Sequence, residues 1–375
     1  MRSPLLINLI AVILVPIFTQ AQKNTSDLEA TLDQLFINPN IPGAAILVSQ
    51  QGETIFSYYN GLKNIETGEH VGPNSHFRMA SVTKQITARA IHSLIQQGKI
   101  QATSSITEIL DNLPEEFFSV QVRHLLQHSS GLPDYEDFIP KDQKKQLSDH
   151  DVLDLIIENP KLQFCPGDRF KYSNTGYCLL ALIVEKVSRN TFAQYVRETL
   201  FKPIDIHDGL IYTPHSKIID RAIGYHLEGA DCAYADQSIT SATQGDGGAY
   251  LATQEMQKWC RLITSSLHRD SDYRNQFNAG MQVKNNIRYQ LGLFNFSDTD
   301  HHLHVFHSGE STGFQNIVYM DVHNKFSIIV FTNRDDFIVS KIFDALLAFY
   351  GRDHVMREQL GEPTFLWLNK VYSGN

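Results

Sequence analysis

The chain holds only four cysteines in 375 residues, Cys165, Cys178, Cys232 and Cys260, and no two form a CxxC pair. A zinc ribbon and a thioredoxin-type redox site are therefore excluded. An exported chain can join two of these thiols, but a protein of this size does not need disulfides to fold, so buried free thiols are expected. Positive charge is also scarce. Lys and Arg total 32 against 41 Asp and Glu, a formal net charge of −9. Phosphate backbones are bound by basic faces, which excludes nucleic acid as the main partner. Hydrophobic residues make up 42 % and charged residues 19 %. These ordinary globular values exclude wholesale disorder and a collagen-like fibre. No internal repeat and no Ser/Gly/Pro-rich linker is present, so nothing divides the chain into independent domains.

One long apolar run does occur, at the start. Arg2 is followed by residues 5–18, apolar except for Asn8 and Pro16, and then by Thr19-Gln20-Ala21-Gln22. A positive start, a short apolar stretch and small residues are the parts of a secretory signal. Cleavage is expected after Ala21, giving a periplasmic or extracellular protein. Residues 1–21 carry one positive and no negative charge, so their removal takes −9 to −10. The other reading is a membrane anchor, but the run is shorter than the ~20 residues a spanning helix needs. No later stretch is long and apolar enough to span, and no Cys near the cut offers a lipid anchor.

The remaining chain reads as strands, then helices, then strands. Ser26-Asp27-Leu28-Glu29 fits a capping box for a first helix. Residues 44–49 and 54–59 read as a hairpin around Gln51-Gly52-Glu53. Helices are expected over 81–97, from Ser148 and Asp151 to 157, over the apolar stretch 176–187, and after the capping pair Thr191 and Gln194. Residues 141–145 read as a solvated charged loop. Strands return at 288–296, 302–308, 316–321 and 326–332, and a helix over 339–350 closes the chain. This pattern predicts an α+β fold: one antiparallel sheet built from both ends, flanked by helices, with a mostly helical insertion. The sheet lobe is expected at about 22–85 and 240–375, and the helical lobe at about 86–239.

Three segments can carry chemistry. In Ser81-Val82-Thr83-Lys84, helical spacing puts the hydroxyl and the amine on one face. A serine is a weak nucleophile until a base takes its proton. A lysine becomes that base when burial or nearby positive charge lowers its pKa. Ser81 at a helix start would also gain from unpaired N–H groups and the helix dipole. In Tyr172-Ser173-Asn174, residues two apart in an extended loop face one way. A phenol beside a lysine ammonium ionises more readily and can shuttle protons, and an amide both donates and accepts. In His307-Ser308-Gly309, the glycine admits a close substrate backbone, and the next N–H can serve an oxyanion. Each segment alone also has a structural reading: a chance Ser-x-x-Lys, a turn with a helix cap, a satisfied histidine. His301, His302, His304 and His307 raise the idea of a metal site. Strand alternation separates them, and neither metal nor cofactor is expected.

Together the three segments resemble the serine β-lactamase and penicillin-binding superfamily. The resemblance is to the branch of class C β-lactamases, D,D-carboxypeptidases, D-aminopeptidases and carboxylesterases, with Tyr-Ser-Asn and His-Ser-Gly as second and third motifs. It extends over nearly the whole mature chain through Ile41-Pro42-Gly43-Ala44-Ala45, the stretch from Phe77 to Gln85, and His124-Leu125-Leu126-Gln127-His128-Ser129-Ser130-Gly131-Leu132-Pro133. Pro166-Gly167, Gly247-Gly248-Ala249-Tyr250-Leu251-Ala252-Thr253 and Thr332-Asn333-Arg334 continue it. The resemblance implies that Ser81 is acylated, that Lys84 acts as or assists its base, and that Tyr172 relays a proton. It implies that Asn174 orients the substrate, and that His307 replaces the usual lysine of the third motif. Ser308 and Gly309 would shape the strand beside the substrate, and the N–H groups of Ser81 and Glu310 would form the oxyanion hole. A histidine is a weaker anchor for a β-lactam carboxylate than a lysine. Glu310 would disfavour anionic substrates or welcome an amine, unless it points to solvent.

The expected function is an exported serine hydrolase acting through an acyl-enzyme on a small amide, ester or D-amino-acid peptide. A β-lactamase and a non-catalytic penicillin-binding sensor are the competing readings. The partner is a small-molecule or short-peptide substrate, and the oligomeric state is not readable.

Overall fold

A computed structural model describes residues 24–229 and 231–374. The expected signal and its cut lie outside the described residues. Eight strands form one sheet: β1 (Ala44–Gln50), β2 (Glu53–Asn60), β3 (Met281–Lys284), β4 (Ile287–Gln290), β5 (Leu293–Ser297), β6 (Leu303–Ser311), β7 (Phe314–Asp321) and β8 (Phe326–Thr332). Their order is β3-β4-β5-β6-β7-β8-β1-β2, and every pairing is antiparallel. β1 lies against β8, with Ala44 opposite Thr332, so the two ends of the chain meet inside the sheet as expected. Every residue of β7 and β8 is buried, so these strands read as continuous apolar runs, not alternating ones.

The helices that frame the sheet and the site are α1 (Thr25–Leu35), α2 (Lys84–Gln96), α3 (Asp149–Glu158), α4 (Asn174–Ser188), α5 (Thr253–Arg269), α6 (Ile338–Phe349), α7 (Asp353–Leu360) and α8 (Thr364–Tyr372); shorter ones span Val122–Leu126, Phe192–Tyr195 and Ser271–Asn278. α5 packs on β1 and β8, and α6 packs on β7 and β8. α4 is the axis of the helical part: Thr175 through Val184 are all buried, and it packs on α2 and α3. Ser148 and Asp151 form the expected capping box of α3. Among the described residues no helix is long and apolar enough to cross a membrane.

Several expectations need correction. Asn24, not Ser26, caps α1, and its side chain accepts the Ser26 N–H. The stretch 288–296 is not one strand. Leu291 and Gly292 take left-handed φ values of 50° and 78° and fold it into the β4–β5 hairpin. Glycine favours that conformation, but apolar neighbours hid the turn. β3 was missed because half-exposed Met281 to Lys284 carries little apolar signal. The helix over 339–350 does not close the chain, because α7 and α8 follow. The four cysteines are free thiols as expected, but only Cys178 and Cys260 are buried; Cys165 is exposed and Cys232 intermediate.

Asn333 fastens the strand ends. It is fully buried; Oδ1 accepts the Gly43 N–H at 2.9 Å, and Nδ2 donates to the carbonyls of Leu62 and Ile223 at 3.1 and 2.8 Å. Removing it leaves buried backbone groups without partners. Asn333→Ala is expected to lose about 3 kcal/mol of unfolding free energy in a urea titration. A loss below ~0.5 kcal/mol, within the range of an ordinary surface substitution, would contradict this role.

Candidate active site

Ser81 does not open the α-helix. Residues Ala80–Thr83 form a tight 3₁₀ turn, and α2 begins at Lys84. Ala80 sits at φ 48°, a left-handed angle that costs a residue with a Cβ about 1–2 kcal/mol. The surroundings hold it there. Met79 N–H donates to Ala249 O at 2.8 Å, Ala249 N–H donates to Thr83 Oγ1 at 3.0 Å, and Asn316 Nδ2 donates to Arg78 O at 2.8 Å. β6 presses on the same turn through Gly309. A Cβ at Gly309 would lie 2.2 Å from Met79 O and 3.2 Å from Ser81 N, so only glycine permits this approach.

Lys84 has no exposed surface. Its Nζ lies 2.9 Å from Ser81 Oγ, 2.8 Å from Asn174 Oδ1 and 3.0 Å from the Asp246 carbonyl. Burial lowers its pKa from the usual lysine value, opposed by Asp246 first and by other acidic neighbours. Two fixed acceptors orient the amine so that its third direction faces Ser81. As an ammonium it donates there; as an amine it can accept the serine proton.

Asn174 is the first residue of α4. Its N–H donates to Asp134 Oδ2 at 2.7 Å, and its Nδ2 donates to Glu136 Oε1 at 2.9 Å. Tyr172 lies beside it, with Lys84 Nζ 5.1 Å from the ring centroid. The Tyr172 hydroxyl makes no hydrogen bond of ordinary geometry, although Ser81 is the neighbour that best favours its phenolate. Burial outweighs that contact and pushes the phenol well above its usual range. The expectation of easy ionisation is therefore overturned: desolvation wins over proximity to a lysine, and Tyr172 rests as a neutral acid.

His128 supports this tyrosine. Its ring lies 4.2 Å from that of Tyr172, and its Nδ1 accepts the Ser173 N–H at 3.2 Å. His307 is completely buried on β6. Its Nδ1 donates to the Ser308 carbonyl, which leaves Nε2 to accept from the Tyr289 hydroxyl at 3.1 Å. Burial, helped by Lys84, pushes its pKa down to about 3. All three motifs thus meet around Lys84.

The family model described as Beta-lactamase matches residues 27–351. The chain belongs to the Beta-lactamase family. Protein flp of Staphylococcus aureus (strain MW2) is 24 % identical over 340 residues, covering 86 % of this chain. The chain spans 66 % of that relative's length, just under two thirds. An octameric penicillin-binding protein homologue from Pyrococcus abyssi has a TM-score of 0.76 at 22 % identity, covering 90 % of this chain and 81 % of its own. D-amino acid amidase from Ochrobactrum anthropi SV3 has a TM-score of 0.72 at 22 % identity, covering 88 % and 99 %. At these identities the two solved structures show the shared fold.

In this member of the Beta-lactamase family the cleft is small and acidic. A cavity of about 210 Å³ opens over Ser81, lined by Arg78, Glu136, Asp246, Glu310 and Thr312 among others. Arg78 donates from Nη2 to the Ser241 carbonyl at 2.8 Å but pairs with no carboxylate among the described residues, so it is one cation against three carboxyl groups in this lining, while Lys84 is buried. Burial and the neighbouring Asp134 and Asp246 raise the Glu136 carboxyl to about 7. Glu310 reaches solvent, yet desolvation by surrounding atoms raises its carboxyl too.

The other histidines do not assemble. His304 lies 3.0 Å from Asp298 Oδ2 and 2.8 Å from the Tyr319 hydroxyl, and His302 stacks on His323 at 3.8 Å. Among the described residues one cluster of ligand type exists, Asp149, Cys178 and Asp246. Asp149 already accepts the Gln244 and Gly245 N–H groups. Burial raises its carboxyl to about 7 and the Cys178 thiol well above its usual range, which suits protonated groups and not a cation.

Sequence reading missed Asp134, Glu136, His128 and Asp246 as parts of the site. His128 stood in a quoted family segment, but nothing local showed that its ring packs on Tyr172. Because His307 is held neutral, its imidazole NMR signals should not titrate between pH 8 and pH 5. A midpoint near the ordinary ~6.5 would refute the burial argument.

Proposed function

We propose that this protein is a serine hydrolase that forms an acyl-enzyme at Ser81 on a small amide, ester or D-amino-acid peptide. The buried Lys84 amine aimed at Ser81 Oγ carries this reading. As the substrate carbonyl arrives, Lys84 takes the serine proton and Oγ attacks. The N–H groups of Ser81 and Glu310 receive the developing oxyanion. Tyr172, neutral at rest, gives its proton to the leaving nitrogen or oxygen and is reprotonated from Lys84. Asn174 holds Lys84 in place. Its own donor is occupied by Glu136, so a substrate must displace that contact to use it. Water then attacks the acyl ester, and the same groups return the proton to Ser81. Export after residue 21 belongs to this reading, supported by the pattern of the first residues.

Three carboxyl groups, Glu136, Asp246 and Glu310, outnumber the one cation Arg78 in the cavity lining, which favours neutral or amine-bearing substrates over anions. A β-lactamase needs an anchor for the substrate carboxylate, and neutral His307 offers none. The D-amino acid amidase structure is a complex with L-phenylalanine amide, which agrees with a small amine-bearing substrate here.

A fluorophosphonate should add one mass increment to the wild type and none to Ser81→Ala. Hydrolysis of p-nitrophenyl esters, D-amino-acid amides, a D-Ala-D-Ala peptide or nitrocefin should vanish with Ser81→Ala. Residual turnover by that variant would refute the mechanism. Tyr172→Phe should lower kcat by about 10²–10⁴-fold.

The pH profile gives an independent check. Only amine Lys84 can act as base, so kcat/KM should rise with pH through its lowered pKa. The Glu136 carboxylate favours the ammonium. Glu136→Gln should therefore move the acid limb to lower pH; a shift to higher pH contradicts the assignment of Lys84.

A further inference from the structure

The helix that ends the described chain, α8, places its last residue against the reactive groups. Phe365, Trp367, Leu368 and Val371 are buried. The Trp367 ring lies 5.3 Å from Phe294 and 6.0 Å from Phe306, which anchors α8 on β5 and β6. Tyr372 then packs 4.6 Å from Tyr172 and 6.2 Å from His307, ring to ring. Its hydroxyl lies 2.8 Å from Ser308 Oγ. Ser308 is fully buried beneath it.

This position falls on an open strand edge. β6 pairs with β7 through Ser311, but its pairing with β5 stops at Phe306 opposite Phe294. Residues 308–311 therefore have one side without a neighbouring strand, where an extended substrate can add its own backbone. A carbonyl held by the N–H groups of Ser81 and Glu310 has its leaving group towards Tyr172, the proton donor. Tyr372 covers that side, touching both Tyr172 and Ser308. The cavity runs the other way: Glu310, Ser311 and Thr312 line it, whereas Ser308 and Tyr172 do not.

We propose that Tyr372 closes the leaving-group side of the site, so that the substrate has a small leaving group and carries its bulk on the acyl side. Primary amides and esters of short alcohols fit; peptides extended beyond the scissile bond do not. The inference rests on the acyl-enzyme reading above. For a primary amide, the Ser81 Oγ–C bond forms first and gives the tetrahedral oxyanion; its collapse re-forms the carbonyl and breaks the C–N bond, and the serine proton reaches the departing ammonia through Lys84 and Tyr172. Water then cleaves the ester, giving the carboxylic acid and restoring Ser81.

The test compares D-phenylalanine methyl and benzyl esters, which share one acyl group. Wild type should have the higher kcat/KM for the methyl ester. Tyr372→Ala should raise the benzyl-to-methyl ratio of kcat/KM by roughly tenfold or more. Tyr372→Phe keeps the ring and should leave the ratio near the wild-type value, which separates a wall from a hydroxyl effect. If Tyr372→Ala fails to melt cooperatively, Tyr372→Val is read instead. A wild-type preference for the benzyl ester, or an unchanged ratio in a folded small-residue variant, overturns the proposal. Fluorophosphonate labelling of Ser81 in each variant keeps the two readings apart. Labelling with an unchanged ratio rejects only the role of Tyr372, whereas no labelling in the wild type rejects the acyl-enzyme itself.

Discussion

Taking an ammonium out of water costs several kcal/mol even after the protein relaxes, and Lys84 is taken out completely. The site depends on how that cost is met. Its three acceptors come from three places: the preceding turn, the start of α4, and the loop before the 249–251 strand. The last two lie 90 and 162 residues away in sequence. The lysine can therefore be accommodated only when the helical part and the sheet have assembled. Burial pulls its pKa down, while Asp246, Asp134 and Glu136 pull it up. A base useful near neutral pH needs both forces, since burial alone would leave an amine too weak to hold the serine proton.

The sheet supplies the opposite wall at a defined distance. Gly309 lets β6 touch the Ser81 turn, and Asn316 ties β7 to the Arg78 carbonyl just before it. The strained Ala80 is then fixed from two sides. Asn333 does the same for the entry into β1, where the N- and C-terminal strands meet. These polar side chains are buried and satisfied by backbone groups, so their effect is to fix position more than to add net stability.

The parts legible in the sequence were those compressed into a few neighbouring residues. Ser81 and Lys84 are three apart, Tyr172 and Asn174 two apart, and β8 is one apolar run. The parts that were not legible arise from tertiary packing. No local pattern brings Tyr372 to Tyr172 across the length of the chain. The same holds for Glu136, whose partner Asn174 is 38 residues on. The direction of the Tyr172 shift was misread for the same reason: lysine proximity can be guessed from a motif, but complete desolvation cannot. The β4–β5 hairpin was hidden because Leu291 places an apolar residue in a left-handed turn.

If the site works as proposed, two features of the cleft would act on substrate choice in one direction. Burial removes the charge from His307, so the third motif presents no cation. Glu136, Asp246 and Glu310 meanwhile line the cavity with carboxyl groups, and burial, with Asp134 and Asp246 adding repulsion, raises the Glu136 carboxyl to about 7. A bound ammonium would relieve that repulsion and hold the carboxylates ionised, so amine binding and carboxyl ionisation reinforce each other. An anionic substrate would meet the reverse: a site that must take up protons to receive it. With Tyr372 against Tyr172 and Ser308, the remaining space lies on the acidic side of Ser81. On the proposed reading, charge and shape would select together, favouring a compact, amine-bearing acyl group in the cavity with little room beyond the bond to be cut.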